Sequence, residues 1–241
     1  MKINEVIDTK DRSYQETSYY KEYGSGDLFV GVNTQYQGIL DYEGFHEFKP
    51  RVRKPVDTFI VLHKLTNKLS MEMMGIPIRS GIFTSRDKKH ADTFGDTVFR
   101  MIPNDGYDAY YNPNVQDFTV DGDYKKQKRA IGYHLMSNLY DQTGGPKIRF
   151  IHKFLDHLAD NSDNIDYDNF GESINQMFMK FSEGVDEEYI SKTPEYVGKV
   201  FDKYYREIVK YIEGMEKITD FNNVKVGYEI IIFPHNGFWF I

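Results

Sequence analysis

Gly227-Tyr-Glu-Ile-Ile-Ile-Phe-Pro-His-Asn-Gly-Phe-Trp-Phe-Ile241 reads as an apolar β-hairpin: two strand-like runs joined through Pro234-His-Asn-Gly237, whose Asn-Gly pair favours a tight turn. A hairpin this apolar is predicted to lie centrally in a sheet. One carboxylate, Glu229, opens it. Acids are rarely buried unless paired, so Glu229 either leans out to water from a strand end or points into a cleft. The second option implies chemistry.

Working back from this hairpin, the pattern is helical over most of residues 121–220. The clearest helix runs from Pro194 to Ile218, where Val197, Val200, Phe201, Tyr204, Ile208 and Ile212 form one wide apolar stripe. Pro194 sits where a first-turn proline is tolerated. Further helices are predicted over Tyr124–Tyr140, Lys147–Ala159 and Glu172–Ser182. Upstream, Phe59, Leu62, Leu65, Leu69 and Met73 recur at helical spacing, with Asp57 or Thr58 able to cap the start and Gly75 ending it. The period then changes: Ile76–Thr84 reads as a strand, Arg86–Gly95 as a short helix, and Thr97–Ile102 as a second strand ending at Pro103. Residues 1–48 carry no strong period and predict loops with one strand-like piece, Asp27–Asn33.

The expected architecture is α+β in a single domain. Residues 1–48 form an irregular N-terminal segment, 49–120 the first half of an α/β core, 121–220 a helical excursion, and 221–241 the hairpin that completes the core. At 241 residues, 40% hydrophobic and 28% charged, the chain can bury a full core. Zero Cys excludes disulfides and thiolate metal sites. No run approaches the length of a membrane span, and the N-terminus lacks a signal-peptide core, so the expected location is cytoplasmic, with no membrane partner. A net charge of −7 argues against general nucleic-acid binding, although Lys49–Lys54 and Lys125–Arg129 are local basic clusters.

Two metal readings are weak on the residues themselves. His90-Ala-Asp92 with a distant His235 has the composition of an iron-binding triad, but positions i and i+2 of a helix do not face each other. Asp160, Asp163, Asp166 and Asp168 lack the glycine and terminal glutamate of a calcium loop. No metal is expected.

The order of elements carries a third reading: a basic strand with Arg51 or Arg53, a helix, a strand ending in Phe83-Thr84-Ser85, a short helix with Ala91, Phe94 and Gly95, another strand, and a late strand opened by Glu229. In this order the chain resembles the ADP-ribosyltransferase-like fold family. The stretch Gly81–Gly95 looks like that family's second motif strand and following helix, and Glu229–Ile241 like its glutamate strand. Arg53–Thr58 with Pro77–Ser80 also looks like uncharacterised tailed-bacteriophage proteins. The resemblance implies a mixed or antiparallel sheet core with a helical insertion, and NAD as substrate. It also implies a phage-type enzyme in the host cytoplasm that transfers ADP-ribose to a host protein or nucleic acid. Glu229 would be the catalytic residue, stabilising an oxocarbenium-like transition state. The cofactor-binding set would be Arg53 first, then Arg51 and Arg79 at the diphosphate, Thr84 and Ser85 on ribose or holding Glu229, and Phe83 and Phe94 stacking on nicotinamide. An inactive relative that binds a host or virion partner is the alternative. The chain departs from the family in reading Phe-Thr-Ser for Ser-Thr-Ser and in placing Gly227 where arginine-modifying members carry an acid or Gln. Each residue also has a plainer reading: Phe83 and Phe94 as core, Thr84-Ser85 as a helix cap, Arg53 as a surface cation.

Overall fold

The computed structural model describes residues 13–24, 26–32, 44–47, 59–116, 130–135, 148–183 and 193–241. Its helices are α1 (Ser18–Tyr23), α2 (Ile60–Met74), α3 (Lys88–Ala91), α4 (Ile148–Asp160), α5 (Phe170–Phe181) and α6 (Thr193–Glu213). Its strands are β1 (Phe29–Val32), β2 (Gly44–His46), β3 (Ile82–Ser85), β4 (Thr97–Pro103), β5 (Tyr107–Tyr111), β6 (Glu216–Lys217), β7 (Glu229–Pro234) and β8 (Phe238–Phe240). The chain is mixed α and β and divides into two compact units. One is formed by the described residues of Met1–Arg51, Gly81–Asp117 and Gly214–Ile241, the other by those of Val52–Ser80 and Phe118–Glu213. The boundary differs from the one expected at 121 and 220, because α2 belongs with the helical unit and not with the sheet.

In the sheet unit the strands run in the order β2-β8-β4-β1-β3-β7-β5-β6, and every pairing is antiparallel. Both C-terminal strands are interior, as their apolar sequence predicts, but they do not form a hairpin. β7 lies between β3 and β5, while β8 lies between β4 and β2. The reason is in the connections. Gly237, at φ 82°, closes a local turn by donating its N–H to Pro234 O (3.0 Å), but β7 and β8 still run in the same sense, and the turn is clasped by the β4–β5 connection. The Asn104 N–H donates to Gly237 O (3.0 Å), the His235 N–H to Gly106 O (3.2 Å), and Asn104 Nδ2 to Asn236 O (3.0 Å). Trp239 Nε1 donates to Asn104 Oδ1 (3.1 Å), so the Asn side chain is answered on both sides. These bonds send β7 and β8 to different neighbours.

The same connections require the sheet to curl. In the strand order β4 and β5 are four spacings apart, about 19 Å in a flat sheet. The link from Pro103 to Tyr107 spans at most about 14 Å. Curling places Val30, Met101, Ile230, Ile232, Phe238 and Phe240 in one buried cluster. Tyr19 on α1 closes it, packing edge-on against Phe221 with ring centroids 5.4 Å apart. α1 itself was not legible in the sequence; Thr17 caps it by accepting from the Tyr20 N–H.

At the rim of the sheet Asp108 on β5 accepts from Lys217 on β6 and pairs with His235 Nε2 at 2.9 Å. The Lys217 hydrogen bond first, and His235 second, hold its carboxyl below the ordinary range. A carboxylate depressed in the folded state contributes stability above the unfolded pKa, and that contribution is lost as pH falls through the folded value. Asp108→Asn is therefore expected to remove less than about 1 kcal/mol at neutral pH and to flatten the stability loss below about pH 4, read by urea unfolding across the acid range. An unchanged acid limb would refute this.

In the helical unit α2 ends as predicted, with Gly75 left-handed at φ 75° and its N–H donating to Met71 O. Phe59 stands at its N-cap without a side-chain cap bond; Asp57 and Thr58 lie outside the described residues. The predicted strand 76–84 begins only at Ile82. Before it, Ile78–Ser80 is a turn of 3-10 helix held by α2, because Ser70 Oγ accepts from the Ile78 N–H (3.0 Å) and Asn67 Oδ1 from the Arg79 N–H (2.8 Å). α4, α5 and α6 match the predicted helices to within a few residues at most ends, α6 stopping at Glu213, five short of Ile218; of Tyr124–Tyr140 only 130–135 is described, and it is helical. Phe154 and Phe178 pack edge-on between α4 and α5 at 4.9 Å. Lys64 pairs with Asp163 and Lys68 with Asp168, both at 2.6 Å, so two of the four loop acids are engaged by α2 lysines. No described helix is long and apolar enough to cross a membrane.

Candidate functional site

Side chains alternate along a strand, and residues paired across strands share a face. In β3 and β7, Ile82 pairs with Ile232, Phe83 with Ile231, Thr84 with Ile230 and Ser85 with Glu229. Ile82, Ile230 and Ile232 belong to the buried core cluster, so Thr84 faces the core. Its hydroxyl donates to Ile230 O at 3.2 Å. Phe83, Ser85, Ile231 and Glu229 occupy the opposite face. The sheet thus brings Ser85 and Phe83 to the Glu229 side and puts Thr84 on the other.

Glu229 is 3% exposed and Ser85 fully buried. The Glu229 N–H donates to Gln116 O at 2.7 Å, on the β5 side. A strand residue directs its N–H and C=O the same way, so Glu229 and Ser85 form a non-hydrogen-bonded pair, with Cα atoms about 4.5 Å apart and side chains close together. Ser85 Oγ nevertheless turns toward the following helix. It accepts from the Asp87 N–H (3.1 Å) and lies 3.1 Å from His90 Nδ1. Ser85 is thus not the helix cap of the plainer sequence reading: its Oγ holds the N–H of the cap residue Asp87 and the His90 ring, while its register sets it beside Glu229. Asp87 caps α3 by accepting from the Lys89 N–H (2.9 Å).

α3 and the 3-10 turn Asp92–Phe94 roof this face. The His90 and Phe94 rings lie 5.0 Å apart, and both residues are half-buried. The roof sits hard against β1: a Cβ on Gly31 would fall 2.1 Å from Ala91 O and 2.8 Å from Gly95 N. Only glycine allows that approach.

The stretch leading into β7 is fixed from β3. Arg86 donates from Nη1 to Phe221 O (2.7 Å) and Val224 O (3.0 Å), and its Nη2 lies 3.4 Å from Asp27. Replacing Arg86 with Leu leaves two carbonyls without their cationic donor. About 1–3 kcal/mol of stability is expected to be lost in urea unfolding, whereas an effect within about 0.5 kcal/mol would show that water replaces the guanidinium.

Arg51 and Arg53 lie outside the described residues, and Arg79 is buried in the helical unit. β1, the strand beside β3 on the side away from β7, carries Phe29, Val30, Gly31 and Val32 and no basic residue. A cation does occur in the same row. Phe29 pairs with Ser85 on one side and with Arg100 of β4 on the other, so Arg100, Phe29, Ser85 and Glu229 stand abreast on four adjacent strands. The Arg100 guanidinium carbon lies 5.7 Å from the centre of the Phe29 ring. Arg100 and Phe29 were missed because a lone arginine within Thr97–Pro103 acquires meaning only once strand register is known.

Among the described residues no group of three or more His, Asp or Glu could hold a metal ion. His90 is bonded to Ser85 and His235 to Asp108, and they do not converge with Asp92. An open hollow of about 550 Å³ in the helical unit, lined by Asp168, Phe170, Glu172, Lys199, Asp202 and Tyr205, contains none of the predicted site residues. Comparison with family models, curated proteins and solved structures finds no match to this chain.

Proposed function

We propose that the chain is an NAD-dependent mono-ADP-ribosyltransferase of phage type, acting on a host protein or nucleic acid. The observation that supports this reading best is the pairing of Glu229 with Ser85 across adjacent interior strands, under a roof that carries His90 and Phe94. Heterolysis of the bond between ribose C1′ and nicotinamide sends the bonding pair out with nicotinamide and leaves positive charge on the ribose. A carboxylate fixed on a strand, hydrogen-bonded to the ribose 2′-hydroxyl, stabilises that charge without reorganising. The acceptor's nucleophile then bonds to C1′ and gives its proton to solvent. Phe83 and Phe94 supply aromatic surface on the Glu229 side, whereas Thr84 serves the sheet core. Adenylate-labelled NAD incubated with the protein and host extract tests the reading: label in a macromolecule supports it, and neither label transfer nor nicotinamide release sinks it.

One observation favours a second reading, a silent relative that binds a host or virion partner. Glu229 and Ser85 are almost wholly covered, so a ligand reaches them only if neighbouring groups move. In that case NAD leaves the melting temperature unchanged.

A further inference from the structure

The open hollow of about 550 Å³ on the α5–α6 pair lies wholly within the helical unit and shares no residue with the Glu229 face. Two glycines shape it. Gly171 and Asn175 lie four apart on α5, and Gly198, Asp202 and Tyr205 follow at spacings of four and three on α6, so each set shares one helix face. The two faces meet in antiparallel sense. A Cβ on Gly198 would fall 2.6 Å from Asn175 Nδ2 and 2.9 Å from its Oδ1, and one on Gly171 would collide with Asp202 Oδ1. Glycine inside a helix costs stability, and what these two give in return is room for an amide and a carboxylate in the wall of one hollow. Neither polar group is used by the protein. Asn175 Oδ1 is buried with no hydrogen-bond partner among the described residues, and no described residue bonds or pairs with Asp202. The neighbouring acids are engaged, Asp168 by Lys68 (2.6 Å) and Glu172 by Gln176 Nε2 (3.1 Å). Tyr205 is half-buried in the same wall, its ring 6.5 Å from that of the buried Phe170.

We propose that this hollow binds a small organic cation, a guanidinium or ammonium group on a carbon chain. Asp202 takes its charge, the Asn175 carbonyl accepts one of its N–H groups, and the Tyr205 ring covers its chain. The assignment does not rest on the transferase reading. A carboxylate and an amide oxygen both accept, so the ligand must donate, and a carboxylate without a counter-charge favours a positive donor. A ring face attracts the same charge. Half a turn of the Asn175 amide exchanges Oδ1 with Nδ2 and presents the carbonyl to the hollow without breaking any bond within the protein. A metal ion fits less well, since no group of three or more His, Asp or Glu among the described residues could hold one.

The test is isothermal titration of the full chain with agmatine, which carries both cationic groups, and with butylurea, an uncharged counterpart of its guanidinium end. Wild type is expected to bind agmatine, and butylurea about 10-fold or more weakly. Asp202→Asn keeps the shape of the side chain and removes its charge, and should weaken agmatine by about 10-fold or more. Glu207→Gln removes a negative charge from the same helix outside the hollow and should bind agmatine as wild type does. Asn175→Leu should weaken agmatine while leaving the melting temperature unchanged, because the amide bonds nothing in the protein. A fall in melting temperature with unchanged binding would make that amide structural and overturn its role. Failure of wild type to bind agmatine, or equal binding of butylurea, overturns the site. So does an equal loss in Glu207→Gln and Asp202→Asn, which would leave only attraction to the chain's net charge of −7.

Discussion

On the transferase reading, Glu229→Gln is expected to release nicotinamide from NAD about 10²- to 10³-fold more slowly than wild type, with little change in KM or in unfolding midpoint. The size follows from what the substitution removes. Gln keeps the length and shape of the side chain, so the interior strand β7 and its register with Ser85 persist, but the carboxylate that the transferase reading sets against the developing ribose cation is gone. Groups preorganised against transition-state charge are worth roughly 3–4 kcal/mol each when water is excluded. Glu229, 3% exposed, is in such an environment. Because the charge acts on the transition state and not on the ground state, the loss belongs in kcat. Chromatographic assay of free nicotinamide, with the melting temperature as a folding control, reads both quantities. Equal rates in the two proteins would remove Glu229 from the chemistry. Absence of nicotinamide release in wild type, together with no NAD-induced rise in melting temperature, would favour the silent binder.

Much of the fold could be read before any coordinates, where a period repeats over many residues. α6, with its apolar stripe from Val197 to Ile212, and α2, with its terminal Gly75, stand close to where their patterns put them. Elements held mainly by tertiary bonds were not legible. Tyr107–Tyr111 alternates too weakly to announce a strand, yet β5 forms because β7 pairs along its whole length. The apparent C-terminal hairpin shows the limit most clearly. Asn-Gly favours a tight turn, and a turn there is, but local propensity does not determine which strands pair. Hydrogen bonds from Asn104 and to Gly106 outvote it. For the site, Glu229 was visible as an acid out of place in an apolar run, and Ser85 as its sequence-motif companion. That Thr84 faces the core and Ser85 faces Glu229 follows from alternation once β3 is set against β7. Arg100 lay hidden because its row is assembled from four separate segments of chain.

The largest stability effect is expected at Gly31, and its cause is space alone. β1 passes directly beneath the roof at Gly31, where an added methyl would lie 2.1 Å from Ala91 O, 2.8 Å from Gly95 N and 3.0 Å from Phe94 C. All three are backbone atoms, so no rotamer change relieves the contact. The approach is reciprocal, since a Cβ on Gly95 would meet Val32 N and C at 2.4 Å each. Gly31→Ala must therefore lift α3 and the Asp92–Phe94 turn or bend β1, and β1 is fixed on both edges by β3 and β4. Overpacking against an unyielding backbone falls at the upper end of single-site effects, about 3 kcal/mol or more. Lifting the roof also draws His90 from Ser85 Oγ, a 3.1 Å bond, and opens the face that carries Glu229. The variant is thus expected to unfold at clearly lower urea with an unchanged denaturant slope, and to lose nicotinamide release below its own unfolding midpoint. Gly75→Ala serves as the comparison. It is also a glycine-to-alanine change, but at a left-handed helix end with open space around it, and it should cost only about 1 kcal/mol. If Gly31→Ala cost no more than Gly75→Ala, the close contact between β1 and the roof would be wrong, and with it the seating of His90 on Ser85 and of Phe94 beside it.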